Sequence, residues 1–313
     1  SHMADYLLKK DIKVFGLKRW NLSRLRNVRH ILREVELVDC DLTEPLGTYE
    51  MIRKVRPMKI FHFAAQSFIS QSWNHPLLYM DVNYRGTVNL LEAVRGIGID
   101  PRILIASSVA MYGDVQKEDL PMTEKTPLNP LNPYAVSKMA QDYIGYVYHK
   151  TYGMHVLRTR AFNIEGPRRD KIFGLPWYAY QVAQIEAGSQ SPIIKSGYVG
   201  AKRNFIHVYD IVEAYWLALE RCKPDVYLIG SEKKKAIHTF DEAIKGLISL
   251  STYNGMIRHE IDKNYVRPTN ETVVVGDCRK FEEVTGWEPK HSFRQLLGDV
   301  LDYWRRFIRD DLY

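Results

Sequence analysis

The sequence predicts an α/β protein, a doubly wound parallel sheet with a smaller, irregular C-terminal lobe. Three features predict this. Short apolar runs rich in β-branched residues alternate with helix-like stretches through the first half of the chain. Those runs are mostly apolar throughout, the pattern of strands covered on both faces. Beyond about Pro167 the alternation weakens, and aromatic, glycine-containing segments such as IFGLPWYAY and GYVGAKRNF replace it.

Residues 4–10 read as the end of a helix. Strand-like runs follow at 13–18, 35–38, 59–65 and 102–107, with helix-like stretches at 44–54 and 77–95 between them. Parallel strands joined by helices take right-handed crossovers, and such sheets hold ligands in a crevice at the carboxyl ends of the strands. Pro133 directly precedes Tyr134, so a helix is expected to start there with Tyr134 in its first turn. The chain closes with an amphipathic helix from about Ser292. The expected division is a sheet domain over residues 1–165 and, over 166–313, mainly a second lobe above the crevice, with 204–230 returning to the sheet domain.

With 313 residues, 45% hydrophobic and 26% charged, the chain can bury a large core in one wide domain or two unequal ones. No apolar run reaches the ~18 residues of a membrane span, and no secretory signal is visible at the start, so no membrane partner is expected. Cys40, Cys222 and Cys278 are scattered without metal-ligand spacing. That fits a reducing, cytoplasmic setting and predicts neither a metal site nor a disulfide framework. The net charge of +7 admits nucleic acid as a partner, but the basic residues are dispersed, with Lys233–Lys235 as the single run. A solvated face that attracts small phosphorylated ligands is the expectation, with no nucleic-acid partner.

The first polar residues after each strand should line the crevice. After KVFGL come Lys18 and Arg19, with no acid alongside in the sequence. In a dinucleotide fold a basic residue here accommodates a ribose 2′-phosphate, which favours NADP over NAD; a solvated strand end is the alternative. After the second strand, Asp41 and Leu42 offer an edge and a face suited to adenine. After the third, Ala64 and Ala65 let a cofactor approach the backbone, and the polar Gln66 and Ser67 that follow are expected on the substrate side, although small-residue packing would look the same. After the fourth comes Ser108. Tyr134 and Lys138, four apart, share one helix face and can both meet Ser108. The spacing alone recurs at Tyr6/Lys10, Tyr146/Lys150 and Tyr198/Lys202; the constellation with Ser108 is what singles this pair out.

The segments FHFAAQS, VNYRGT (82–87), SSVAMYG (107–113), NPYAVSK, RTRAFNIEGP (158–167), AKRNFIHVYDIVEA and VRPT (266–269) together resemble the extended short-chain dehydrogenase/reductases of the nucleotide-sugar epimerase and dehydratase family, over nearly the whole length. The nearest branch acts on GDP-linked mannose derivatives: the GDP-mannose 4,6-dehydratases and GDP-4-keto-6-deoxymannose reductases. The resemblance implies a Rossmann-like NAD(P)-binding domain, NADP or NAD as cofactor, and a nucleotide-sugar substrate. It also implies a homodimer through the Tyr134–Lys138 helix, where Met139, Tyr143, Tyr146 and Val147 offer an apolar stripe. Tyr134 would be the acid or base and Ser108 the hydrogen-bond partner of the reacting oxygen. Lys138 would hold the nicotinamide ribose and lower the phenol's pKa from about 10, with Phe162 also on the cofactor side. Asn83 resembles a supporting helix asparagine. Asn163, Arg168, Arg203 and Arg267 are implied on the substrate side, with Lys202 beside them; planar guanidinium groups suit a diphosphate.

Three departures qualify the likeness. Members that dehydrate carry Glu two residues before the Tyr of their Tyr-Gly, where this chain has Ala110, which cannot move a proton. Glu165 is another carboxylate nearby, with a salt bridge to Arg168 or Arg169 as its alternative role. The family's Arg-Pro-Thr-Glu ends here in Asn270, which leaves the nucleoside contact open. The chain opens SHMADYLL where the family opens on a strand and a Gly-x-x-Gly-x-x-Gly loop; SHM is either a cloning remnant or native sequence, and a natural polypeptide longer by ~10–20 residues is expected. The functional expectation is an oxidoreductase acting at C4 of a nucleotide-linked sugar, best matched by a reductase of a GDP-4-keto-6-deoxyhexose. A 4-epimerase, a GDP-mannose 4,6-dehydratase-type enzyme and a non-catalytic nucleotide-binding scaffold are the alternatives.

Overall fold

A computed structural model describes residues 1–20, 23–231, 237–266 and 273–310. Arg267, Asn270 and Lys233–Lys235 lie outside the described residues. The first half runs α1 (His2–Leu8), β1 (Val14–Lys18), β2 (Val35–Asp39), α2 (Pro45–Val55) and β3 (Lys59–His62). Two short helices, α3 (Ile69–Ser72) and α4 (Pro76–Tyr79), lead through a π-turn at Met80–Arg85 into α5 (Gly86–Ile97). Then come β4 (Arg102–Ala106), α6 (Pro133–Tyr152), β5 (Val156–Ala161) and β6 (Asn163–Glu165). The second half runs α7 (Gly174–Glu186), β7 (Ile193–Ser196), β8 (Lys202–His207), α8 (Val208–Arg221), β9 (Val226–Ile229) and β10 (Ile237–Thr239). It continues with α9 (Phe240–Ser249), β11 (Arg258–Ile261), β12 (Val273–Val274), α10 (Arg279–Thr285) and α11 (Phe293–Arg309).

Strands β3, β4, β5 and β9 form a parallel sheet in that order, and β1 pairs with β2 in parallel as a separate unit. The wholly apolar run in β4 has its physical reason here. Leu104 packs into a cluster with α1, α8 and α10, while its neighbours Ile103 and Ile105 pack with α2 and α5 on the other face. All three are 0% exposed, and burial of each such side chain stabilises the fold by about 1.5–3 kcal/mol. The architecture is therefore α/β and wound on both faces.

The second lobe has its own core, in which α7, α9 and α11 pack around Trp304. Helix α8 and strand β9 belong to the sheet: β9 pairs with β5, and Ile211, Val212 and Leu228 share the sheet-domain cluster. Helix α10 joins them through Phe281. Between the lobes, β8 pairs antiparallel with β10 and parallel with β6 and β12. A fully buried carboxylate, Asp142 on α6, receives Arg158 Nη1 at 2.9 Å and Arg160 Nη2 at 3.0 Å from β5, so helix and strand are also joined by charge. Among the described residues no helix is long and apolar enough to cross a membrane, and no cluster of His, Cys, Asp and Glu could hold a metal.

Two boundaries differ from the sequence reading. The third strand leaves its ladder at His62, so Ala64–Ser67 are loop. The helix expected over 77–95 is interrupted by the π-turn, which apolar periodicity does not report. π-turns of this kind are frequent at functional sites.

Candidate active site

Helix α6 starts where Pro133 stands. Its fixed φ suits the first helical position, and its missing N–H costs nothing there. Asn132 caps the helix, Oδ1 accepting from the Ala135 amide at 2.9 Å. Tyr134 and Lys138 consequently lie one turn apart, and both are buried. The Lys138 amine donates to the carbonyl of Ala106, the last residue of β4, and to Gln141 Oε1. Strand end and helix are thereby tied through the amine.

The network extends inward. Gln141 Nε2 donates to Thr87 Oγ1 at 2.8 Å and lies 3.1 Å from His62 Nε2. Thr87 donates to the Asn83 carbonyl at 2.6 Å. Asn83, fully buried in the π-turn, accepts from the Gln66 amide at 2.7 Å and donates to the Gln66 carbonyl at 3.0 Å and to Ser137 Oγ at 2.8 Å. Ser137 in turn donates to the Tyr134 carbonyl at 2.7 Å. One asparagine therefore fixes both the loop after β3 and the first turn of α6. The sequence reading noted Asn83 but missed Gln141, His62, Thr87 and Ser137. Its one available signal was that Ser137, Lys138 and Gln141 fall within a single helical turn.

After β4 the backbone makes a tight turn over Val109–Tyr112. Ser108 Oγ accepts from the Ala110 amide at 3.2 Å, and an oxygen that accepts there keeps its own proton for donation. Gly113 ends the turn at φ +55°, where a Cβ would lie 1.7 Å from the Asn129 carbonyl oxygen, so only glycine fits. Ala110 lines the cavity with no ionisable group.

A cavity of about 1290 Å³ opens at the carboxyl ends of β4 and β5 and reaches the second lobe. Ser108, Tyr134 and Lys138 all line it, as do Ala65, Ser67 and Phe162. Asn163, Arg168 and Arg203 line it from the strands and loop beyond β5. Arg168 also reaches back to the sheet domain, Nη1 donating to Asp5 Oδ2 at 2.6 Å. Lys18, Arg19, Asp41, Leu42, Ala64 and Gln66 are outside the lining. Lys18 does have an acid alongside, because the β1–β2 register sets Asp39 opposite it and the two form an ion pair. That neighbour comes from strand pairing across the sheet and is invisible locally. Leu42 is packed into the core beside α2 and α5, and Asp41 accepts from the Thr43 amide and hydroxyl at 3.0 and 2.8 Å.

Burial sets the electrostatics. It pulls the Lys138 amine down to about 7, His62 down to about 3, and pushes Glu165 up to about 7. Glu165 receives Arg169 Nη1 at 2.9 Å, so the salt-bridge alternative is the one adopted. At the nicotinamide end a dinucleotide would meet a buried amine, Phe162 and two hydroxyls on one cavity wall, and the residues there fit it. The adenosine end predicted from Lys18, Asp41 and Leu42 does not converge on the same cavity.

A family model described as GDP-mannose 4,6 dehydratase matches residues 1–300. The chain is 31% identical over 315 residues to GDP-mannose 4,6 dehydratase 1 of Arabidopsis thaliana, covering 96% of this chain and 85% of that protein. It is 30% identical over 316 residues to GDP-mannose 4,6-dehydratase sdnI of Sordaria araneosa, again over 96% of this chain but spanning only 58% of that longer protein. Among solved structures, RMD from Pseudomonas aeruginosa complexed with NADPH superposes with a TM-score of 0.81 at 26% identity, covering 94% of this chain and 99% of that one.

Proposed function

The chain belongs to the GDP-mannose 4,6-dehydratase family, and on that premise we propose that it reduces the C4 ketone of a nucleotide-linked 4-keto-6-deoxy sugar. NADP is the proposed cofactor and a GDP-linked sugar the proposed substrate. One observation carries the reading: Lys138, anchored to the end of β4, lies one turn from Tyr134 in a cavity that Ser108 also lines.

A reduced nicotinamide supplies the hydride when bound. The Ser108 proton holds the ketone oxygen, and the Tyr134 phenol delivers a proton to that oxygen as negative charge develops on it. The cation of Lys138 favours the phenolate that remains. Arg203, on β8, lines the cavity, and its guanidinium would pair with the diphosphate. Ala110 supports reduction over dehydration, since a proton-transferring carboxylate is absent from that turn; Glu165 lines the cavity elsewhere and pairs with Arg169 through one oxygen. The NADPH complex of RMD supports the cofactor assignment. Tyr143, Tyr146 and Val147, all exposed on α6, support a homodimer through that helix.

A 4-epimerase is the second reading, because Ser108, Tyr134 and Lys138 serve hydride removal and return equally. The two differ in stoichiometry. Reduction consumes one NADPH per sugar converted, whereas epimerisation interconverts sugars with no net consumption. We expect stoichiometric loss of NADPH absorbance with a GDP-4-keto-6-deoxyhexose. Conversion without such loss would overturn the reductase assignment.

A further inference from the structure

We propose that Trp177 and Tyr265 form a slot that holds the nucleobase of a nucleoside diphosphate by its faces, so that purine and pyrimidine nucleotides are both accepted. The inference rests on the nucleotide-sugar reading above and extends it to the choice of base.

The second-lobe wall of the cavity includes Trp177 on α7, Gly197 after β7, and Tyr265. The Trp177 and Tyr265 rings face each other with centroids 6.0 Å apart and planes 44° from parallel. The indole is itself stacked on Tyr180, at 5.9 Å and 26°, which fixes its plane. A flat ring between two others needs ~7 Å, two carbon contact distances. The slot therefore admits a base once Tyr265 moves by about 1 Å and turns parallel to the indole.

Tyr265 is built to do this. Its side chain is 46% exposed, while its backbone is fixed. A Cβ on Gly197 would lie 2.2 Å from the Tyr265 carbonyl oxygen, so the two segments touch. The Tyr265 amide also donates to the Asp262 carbonyl at 3.0 Å, and the Asp262 amide to the Ser196 carbonyl at 2.8 Å. The ring can swing on an anchored backbone.

A second observation points to a ligand. Trp177 Nε1 is buried without a hydrogen-bond partner, a state that costs stability unless an acceptor arrives. The N–H lies in the indole plane, so it cannot bond a base stacked on the indole face. An oxygen of the ribose–phosphate arm, which leaves a stacked base sideways, would reach it only once the slot opens, since the atom has no exposed surface here. One polar group in the lining beside Tyr265 is Asn264, exposed, whose amide presents either a donor or an acceptor to a base edge. Recognition by faces is tolerant, because every base has a π-face.

The test is calorimetric titration of the full chain with GDP, UDP, dTDP and ADP, and separately with NADPH. The four diphosphates are expected to bind within ~10-fold of one another. Trp177→Ala should weaken all four by ~10–100-fold, the range of lost base–aromatic stacking, and leave NADPH affinity in place. Tyr265→Ala, at a half-exposed rim position, should weaken the same four ligands. Trp177→Phe should retain most of the affinity and lose only the N–H contribution, ~3–10-fold. A preference above ~100-fold for one base would overturn the proposal, as would diphosphate affinities indifferent to both alanine variants, or a loss confined to NADPH. Failure of the wild-type chain to bind NADPH or any diphosphate would instead sink the enzyme reading on which the slot depends.

Discussion

Lys138 combines two demands that oppose each other. In the proposed reaction it carries charge to favour the Tyr134 phenolate, yet burial disfavours that charge and brings its pKa from 10.5 to about 7, with Asp142 pulling the other way. Between about 7 and 10.5 the unfolded chain binds the proton that the folded chain has released, so this residue's contribution to stability rises with pH across that window. Activity should run the opposite way, because the useful cation is present below about 7 and lost above it. The pH profile of kcat/KM reports the free enzyme. It should fall as pH rises past about 7, and Lys138→Arg, whose cation persists, should move that descending limb upward. A wild-type profile flat to about pH 9 would contradict the role assigned to the amine. At this scale the sequence singled out three side chains that line one cavity, but not their neighbours. Ser108, Tyr134 and Lys138 sit at strand and helix ends that local patterns mark, whereas the Asp39 partner of Lys18 depends on strand register.

Helix α6 is held close to the sheet by a missing side chain. A Cβ on Gly145 would lie 2.6 Å from Ile105 Cδ1 and 3.2 Å from Val156 Cγ1, and both neighbours are at most 1% exposed. Gly145→Ala gains about 1 kcal/mol of helix propensity but overpacks a closed contact, which costs about 1–3 kcal/mol. The contact outweighs the propensity, since Ile105 and Val156 are both buried in the core and must shift to admit the methyl group. The variant should unfold at lower urea concentration, less stable by about 1 kcal/mol, and its turnover should drop as α6 lifts from β4 and loosens the Lys138–Ala106 link. A stabilised variant would show that the helix has room to move. The start of α6 was legible because Pro133 and Asn132 act locally. The π-turn before α5 was not, because it keeps the apolar pattern of an uninterrupted helix while burying Asn83, and only the tertiary partners Gln66 and Ser137 explain it.

At the scale of the molecule, the apolar alternation sufficed for the doubly wound sheet, since solvent exclusion on both faces is written into each strand. The second lobe was legible only in outline. Its contribution to the cavity depends on long-range pairings such as β8 with β6 and β12 and on ring contacts such as Trp177 with Tyr265. The account as a whole stands on hydride transfer completed by one phenol. Rapid mixing of Tyr134→Phe with NADPH and a nucleotide-linked 4-keto sugar, followed by NADPH absorbance, tests this most directly. We predict NADPH affinity within ~2-fold of wild type and a transfer rate reduced by ~100-fold or more, the scale of a lost general acid. An undiminished rate would contradict the account.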